Sequence, residues 1–346
     1  MWFKQLMGFD EISHENVQKN ISVEGAFMTS LVNGKKYRCG FLEVPALKDL
    51  RSGINLENYR ENIKISETVG DVAWLHKDEE NNNAVFQAAS QFNLLEMVHP
   101  GVTPESGVDI YENDRTQGPA CAVSCGAGTV FRNYFAQVNG KTGQTADNQI
   151  DCLSGIGQFF ENEKLHLWKM KNGYAMFSEE GLRHINGKLS GLAKEEWEDL
   201  KAGLKVGIQW NTEVTTANSG QMVTQVYCSA LPVGYHSMIQ GRIWENFARL
   251  ILEAAYEATF YAVKNLEKGG SPRLFLTLVG GGVFGNEVSW ILDAIRISVE
   301  KFRNVSLDVR IVSYGKSDPK VPILSSVLIV FKSVRILSPT FHILSV

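Results

Sequence analysis

From residue 206 onward, short apolar runs alternate with longer amphipathic stretches. Val206-Gly207-Ile208-Gln209-Trp210 and Thr224-Gln225-Val226-Tyr227-Cys228-Ser229-Ala230 read as strands. Trp244 to Leu266 carries apolar side chains at helical spacing and reads as one long helix. A strand over 273–279, a helix over about 287–302 and a strand over 307–313 follow. The order strand, strand, helix, strand, helix, strand implies a mixed or parallel sheet with helices on its faces.

The earlier part of the chain is less regular. Tyr37 to Val44 and its neighbours look like short strands, and Ala84-Val85-Phe86-Gln87-Ala88-Ala89-Ser90 is a buried strand running into a loop. Val69 to Leu75 reads as a turn entering a short apolar segment. Asn93 to Gln117 is rich in Gly, Pro, Asp, Glu and Asn and has no period. Apolar segments flank it, so an ordered functional loop is expected. Pro119 to Val130 is small and apolar, fitting either a buried strand or a tightly packed helix. Gly143 to Asn162 looks helical, and so does the polar stretch from Lys194 to about Lys205. Between them, Asn172-Gly173 joins two apolar runs, 165–170 and 174–177, because Asn-Gly supplies the positive φ of a tight hairpin turn. Val321 to Val346 is largely apolar, but Pro322, Lys332, Arg335 and Pro339 break it. A membrane span needs about 20 apolar residues in a row, so no membrane role is expected.

One place carries a strong local signal for chemistry. The apolar run Leu276-Thr277-Leu278-Val279 enters Gly280-Gly281-Gly282-Val283-Phe284-Gly285, and a helix leaves it. A strand ending in bare backbone before a helix makes an anion site, because free N–H groups and the helix dipole point at the ligand. The loop comes late in the chain and lacks the G-x-G-x-x-G spacing of a dinucleotide fingerprint. A pyrophosphate site of another kind is therefore expected.

Composition narrows the class. The 346 residues are 44% hydrophobic and 21% charged, as in a soluble globular protein, and suffice for one large domain or two ordinary ones. A net charge of −4 implies no basic surface for nucleic acid. The five cysteines are odd in number and fit free thiols in a reducing compartment. The N-terminal residues lack the apolar core of a signal peptide, so cytoplasm or nucleus is expected. Cys121 and Cys125 have no second pair, and no Asp/His cluster has metal spacing, so neither metal nor cofactor is expected.

Three pieces now combine: Gly70-Asp71-Val72, the strand ending Gln87-Ala88-Ala89-Ser90, and the late glycine loop before a strand that ends at Tyr314. In this order they resemble the macrodomain superfamily, which binds ADP-ribose. Gly282-Val283-Phe284-Gly285 is similar to the family loop that wraps the diphosphate, and Gly280 and Gly281 precede it. The resemblance spans roughly residues 65–315. It implies a three-layer α/β/α macrodomain-like mixed sheet over 61–318, with an insertion at about 131–205. Residues 1–60 would form an N-terminal extension on the core, and 319–346 an apolar tail. It also implies that Asp71 and Val72 meet adenine, that Tyr314 stacks there, and that Gln87, Asn93 and Gly107 approach the ligand. The strand end departs from the family's Asn-Ala-Ala-Asn, with Asn93 as a substitute. The family's Gly-Gly-Gly-Val loop is replaced by Val102 to Pro119, which looks like a divergent branch of bacterial effector hydrolases, with animal relatives, acting on ADP-ribosylated arginine.

That loop holds Glu105, Asp109, Glu112 and Asp114. Cleaving ADP-ribose from arginine builds charge on the ribose, and its two roles suit a pair of carboxylates, one giving a proton and one activating water. Crowded carboxylates push their pKa values apart, which lets both roles coexist. Asp114 and Asp109 are the first candidates and Glu105 the third. The implied partners are ADP-ribose and ADP-ribosylated proteins. Competing readings remain: solvated loop acids, Asp71 as a helix cap, a non-catalytic ADP-ribose reader, or a nicotinamide-dependent oxidoreductase.

Overall fold

A computed structural model of the chain describes residues 1–217, 219–236, 238–264 and 271–321. Its centre is a seven-stranded mixed sheet. The strands are β1 (Phe41–Glu43), β2 (Lys64–Val69), β3 (Val85–Ala89), β6 (Gly207–Glu213), β7 (Met222–Cys228), β8 (Arg273–Leu276) and β9 (Asp308–Ser313). A separate hairpin supplies β4 (Trp168–Lys171) and β5 (Tyr174–Phe177). Across the sheet the order is β1-β6-β7-β3-β8-β9-β2. The five strands from β7 to β2 are parallel, and β6 runs antiparallel to both its neighbours.

Helices cover both faces, which gives three layers. They include α1 (Leu47–Ser52), α2 (Val72–Lys77), α3 (Gln117–Ser124), α4 (Gly126–Tyr134), α5 (Lys194–Lys201), α6 (Gly241–Lys264) and α7 (Val288–Lys301). Successive side chains of β3 show the layering, since strand neighbours point to opposite faces. Phe86 stacks 3.8 Å from His76 of α2, whereas Gln87 donates a 3.0 Å hydrogen bond to Thr259 of α6. A parallel strand buried on both faces has no polar alternation, as Val85-Phe86-Gln87-Ala88-Ala89 illustrates.

The hairpin is as expected: Asn172 and Gly173 have φ of 48° and 80°, the two positive values of a type I′ turn. The expected helix over 143–162 is largely absent. Gly143 has a φ of 84°, and a helix begins only at Ser154, after the cap residue Leu153, and ends at Phe159. Pro119 to Val130 becomes two helices, α3 and α4, rather than a strand. The turn near Val69 is preceded by β2, which the sequence pattern did not reveal. It is an edge strand in which no side chain is fully buried, so it carries no apolar run. Residues 1–60 also contribute β1 to the sheet, and Ala46 bridges to Lys205. Residues 322–346, most of the expected tail, lie outside the described residues.

Candidate active-site cleft

The chain leaves β3 toward α3 on one face of the sheet and leaves β8 toward α7 on the other. Where neighbouring parallel strands part in this way, a crevice opens beyond their carboxyl ends. A cleft of about 750 Å³ lies there, bounded by the ends of β3, β8 and β9, the glycine loop and the N-terminal end of α3.

The glycine loop forms one wall. Gly280 and Gly285 have φ of 79° and 68°, and they fold the loop back on itself. Gly281 N–H donates to Leu278, Gly285 N–H to Gly282 and Asn286 N–H to Gly280. The Asn286 amide also donates to Leu231, 2.8 Å away, which anchors the loop from behind. The N–H groups of Gly282, Val283 and Phe284 donate to no acceptor among the described residues. A Cβ on Gly282 would meet nothing within 4 Å, so this backbone is bare toward the cleft. Val288, the first residue of α7, lines the same wall, so the positive end of a 14-residue helix adds to the loop.

Carboxylates line the same cleft. After β3 the chain makes a tight turn in which Leu94 adopts a φ of 66°. Gln91 accepts from Met97 N–H at 2.8 Å, and Glu96 N–H donates to the Tyr111 hydroxyl at 3.0 Å. The turn places Glu96 on the cleft wall, although only 5% of it is exposed. Its Oε1 has no hydrogen-bond partner among the described residues. Burial pushes this carboxyl well above the usual range; Arg132 opposes that and Asp114 adds to it. Arg132 is fully buried, lies 3.6 Å over the Tyr227 ring and donates to Leu94 O and Thr129 Oγ1. Asp114 lines the cleft beside Glu96, with Oδ1 accepting from Thr116 N–H at 2.8 Å. Two more buried polar atoms of the lining have no partner among the described residues, Gln117 Nε2 and Thr277 Oγ1. Tyr174, Tyr235 and Phe284 make an aromatic rim with ring centroids 5.2–5.7 Å apart. Tyr174 comes from the β4–β5 hairpin, so the insertion reaches the cleft.

Of the expected site residues, Asp114, Gly280, Gly281, Gly282, Val283, Phe284 and Tyr314 line this cleft together. The others lie outside its lining, each for a local reason. Asp109 accepts from Phe3 N–H at 3.0 Å and serves the N-terminal helix. Glu105 accepts from Ala146 N–H at 2.9 Å, and Glu112 from Trp2 N–H at 3.0 Å. Asp71 is the N-cap of α2, accepting from Ala73 N–H at 2.8 Å, and Val72 is fully buried behind it. Gln87 is buried against α6, and Asn93 is spent on Leu95 N–H and Gln149. Gly107 backs onto Glu11, and Gly285 sits behind the loop, where a Cβ would come within 3.0 Å of Gly234.

Sequence reasoning missed Glu96, Arg132, Tyr174 and Tyr235. A signal for Glu96 existed: it is a lone carboxylate in the apolar run Leu94-Leu95-Glu96-Met97. Arg132 had none, because its guanidinium is brought to the turn only by the packing of α4.

No family model and no curated protein matches the chain. Among solved structures it is similar to poly(ADP-ribose) glycohydrolase from Deinococcus radiodurans in complex with ADP-ribose. That match has 12% identity over 84% of this chain and 94% of that one, with a TM-score of 0.44. It is similar also to poly(ADP-ribose) glycohydrolase from Thermomonospora curvata bound to the inhibitor ADP-HPD. There identity is 11% over 92% of this chain and 95% of that one, with a TM-score of 0.44.

Proposed function

We propose that this chain is a mono-ADP-ribosyl hydrolase, removing ADP-ribose from modified protein side chains, with arginine as the preferred one. The observation that carries the reading is that two chemically opposite sets of groups line one cleft. In one set, unpartnered N–H groups and a helix N-terminus suit a diphosphate. In the other, carboxylates suit the cationic guanidinium and the positive charge that develops on the ribose. A volume of about 750 Å³ lies within the usual span of small-molecule sites. The Gly282-Val283-Phe284-Gly285 resemblance and the exposed ring of Tyr314 on the cleft wall favour a nucleotide end there.

The test is incubation with arginine-, glutamate- and serine-ADP-ribosylated proteins, with released ADP-ribose measured by chromatography. Release from the arginine-linked substrate ahead of the others is expected. Binding of free ADP-ribose by calorimetry without release from any substrate would replace the hydrolase with a reader.

A further inference from the structure

The hydrolase reading leaves one proton unassigned. When the C1″–N bond to arginine breaks, its electron pair stays on nitrogen. The neutral guanidine so formed is a strong base and a poor leaving group, so a proton must reach that nitrogen as the bond breaks. We propose that Glu96 is the general acid of this cleft, handing its proton to the departing nitrogen. Asp114 takes a proton from the water that attacks C1″. This assignment rests on the hydrolase reading above.

Glu96 meets the geometric needs of an acid better than Glu105, Asp109 or Glu112, which lie outside the cleft lining. It lines the cleft, it is 5% exposed, and its Oε1 has no partner among the described residues. An ionised oxygen in that position would bear the full desolvation penalty, whereas a carboxylic acid bears much less. Its backbone is held from three sides, by Tyr111, by the Gln91–Met97 bond and by the Arg132 bond to Leu94 O. Gly118 is what lets α3 come this close. A Cβ there would lie 2.6 Å from Glu96 Oε2 and 2.5 Å from Ala89 O.

An acid must also survive losing its proton. Arg132 supplies that half. It is a fully buried guanidinium whose Nη1 has no hydrogen-bond partner among the described residues, and its charge favours the carboxylate form of Glu96. Burial keeps the proton on before the reaction, and Arg132 steadies the anion after it. Asp114 differs in the way a base requires: it is less deeply buried and is fixed by Thr116 N–H. Deep burial suits the proton donor, and the less buried carboxylate suits the proton acceptor. The step balances. The departing nitrogen gains the proton of Glu96 and leaves as guanidinium. Water adds its oxygen to C1″, and its proton goes to Asp114. Exchange with solvent then resets both groups.

The experiment compares arginine-linked ADP-ribose with ADP-ribose carrying a nitrophenolate, a leaving group that needs no proton. Glu96→Gln is expected to lose at least about 100-fold in kcat on the arginine-linked substrate and only a few-fold on the nitrophenyl one. Free ADP-ribose should bind it with nearly unchanged affinity. Asp114→Asn should lose activity on both. The unaltered protein provides a check independent of folding in the variants: its kcat/KM should fall at high pH for the arginine-linked substrate and not for the nitrophenyl one. Equal losses of Glu96→Gln on both substrates, full activity, or an identical alkaline limb for both would overturn the assignment. An unaltered protein that cleaves neither substrate would overturn the hydrolase reading, and this assignment with it.

Discussion

Two clusters of buried charge lie in the two helical layers, and they follow opposite rules. Among α1, α5, α6 and α7, Glu257 is 2% exposed and is ringed by cations. Arg51 reaches it at 2.6 Å, Lys301 at 2.5 Å and Lys201 at 3.4 Å. Glu198 and Glu253 complete the set, with Trp197 donating to Glu253 at 3.1 Å. Burial alone would raise the Glu257 carboxyl, yet Arg51, Lys301 and Lys201 together hold it below the usual range. In the other layer, Glu96 and Arg132 each keep an atom without a partner among the described residues. The first cluster ties the N-terminal segment, the insertion and the core together. The second leaves hydrogen-bonding capacity beside a cleft. Full pairing marks scaffold, and incomplete pairing next to an opening marks a place for a ligand.

The comparison can be broken most directly at Glu257. Glu257→Leu leaves three cations without their common partner and should cost about 3–5 kcal/mol, read from denaturant midpoints. A loss below about 1 kcal/mol would show that the ion cluster does not hold the layers together.

His76 gives the next effect. Its Nδ1 faces the Val72 carbonyl and therefore carries the hydrogen, while Nε2 accepts from Gln225. Burial lowers this imidazole from the ordinary 6.5 to about 4. The unfolded chain then binds the extra proton first. Stability is whole above pH 6.5 and is lost as pH falls toward 4, by about 3 kcal/mol in all. His76→Phe keeps a ring against Phe86 and should remove that slope. An unchanged slope in the variant would assign acid sensitivity elsewhere.

The same distinction between scaffold and site runs through the glycine loop. Gly285 has a positive φ and abuts Gly234, so Gly285→Val should destabilise by about 1–3 kcal/mol. Gly282→Val fills open space instead. It should shift stability by less than about 0.5 kcal/mol while abolishing ADP-ribose binding. Equal thermal losses in the two would remove the contrast.

The last effect concerns stability at Glu96 and depends on pH. Its folded-state pKa is raised above the ordinary 4.5, so its cost is absent at lower pH and grows as pH rises toward the folded value. Glu96→Gln should therefore melt higher than the unaltered protein at alkaline pH, and the gap should close in acid. A gap that widens in acid would reverse the sign.

Legibility in the sequence followed the range of the interactions involved. The long helix α6, the strand β3, the β4–β5 hairpin and the glycine loop were all readable, because each is dictated by period or by local φ. The helix expected over 143–162 failed because glycine and Asx turns interrupt an apolar pattern that looks periodic. The acid loop was read as polar and functional, and Asp114 does line the cleft. Asp109 and Glu105 could not be told from it, since composition does not show which way a carboxylate turns. Their bonds to Phe3 and Ala146 span 106 and 41 residues of chain.

The sequence by itself determined the layered alternation of strands and helices and the bare backbone loop after β8. Both are consequences of spacing within a few residues. Tertiary structure decided which carboxylates share a cleft and which serve as caps and ties. It also gave Glu96 its character, through Arg132 from α4, Tyr111 from the loop and the missing side chain of Gly118. A carboxyl group's chemistry depends on its burial and on the charges near it, and both are set by segments remote in the chain.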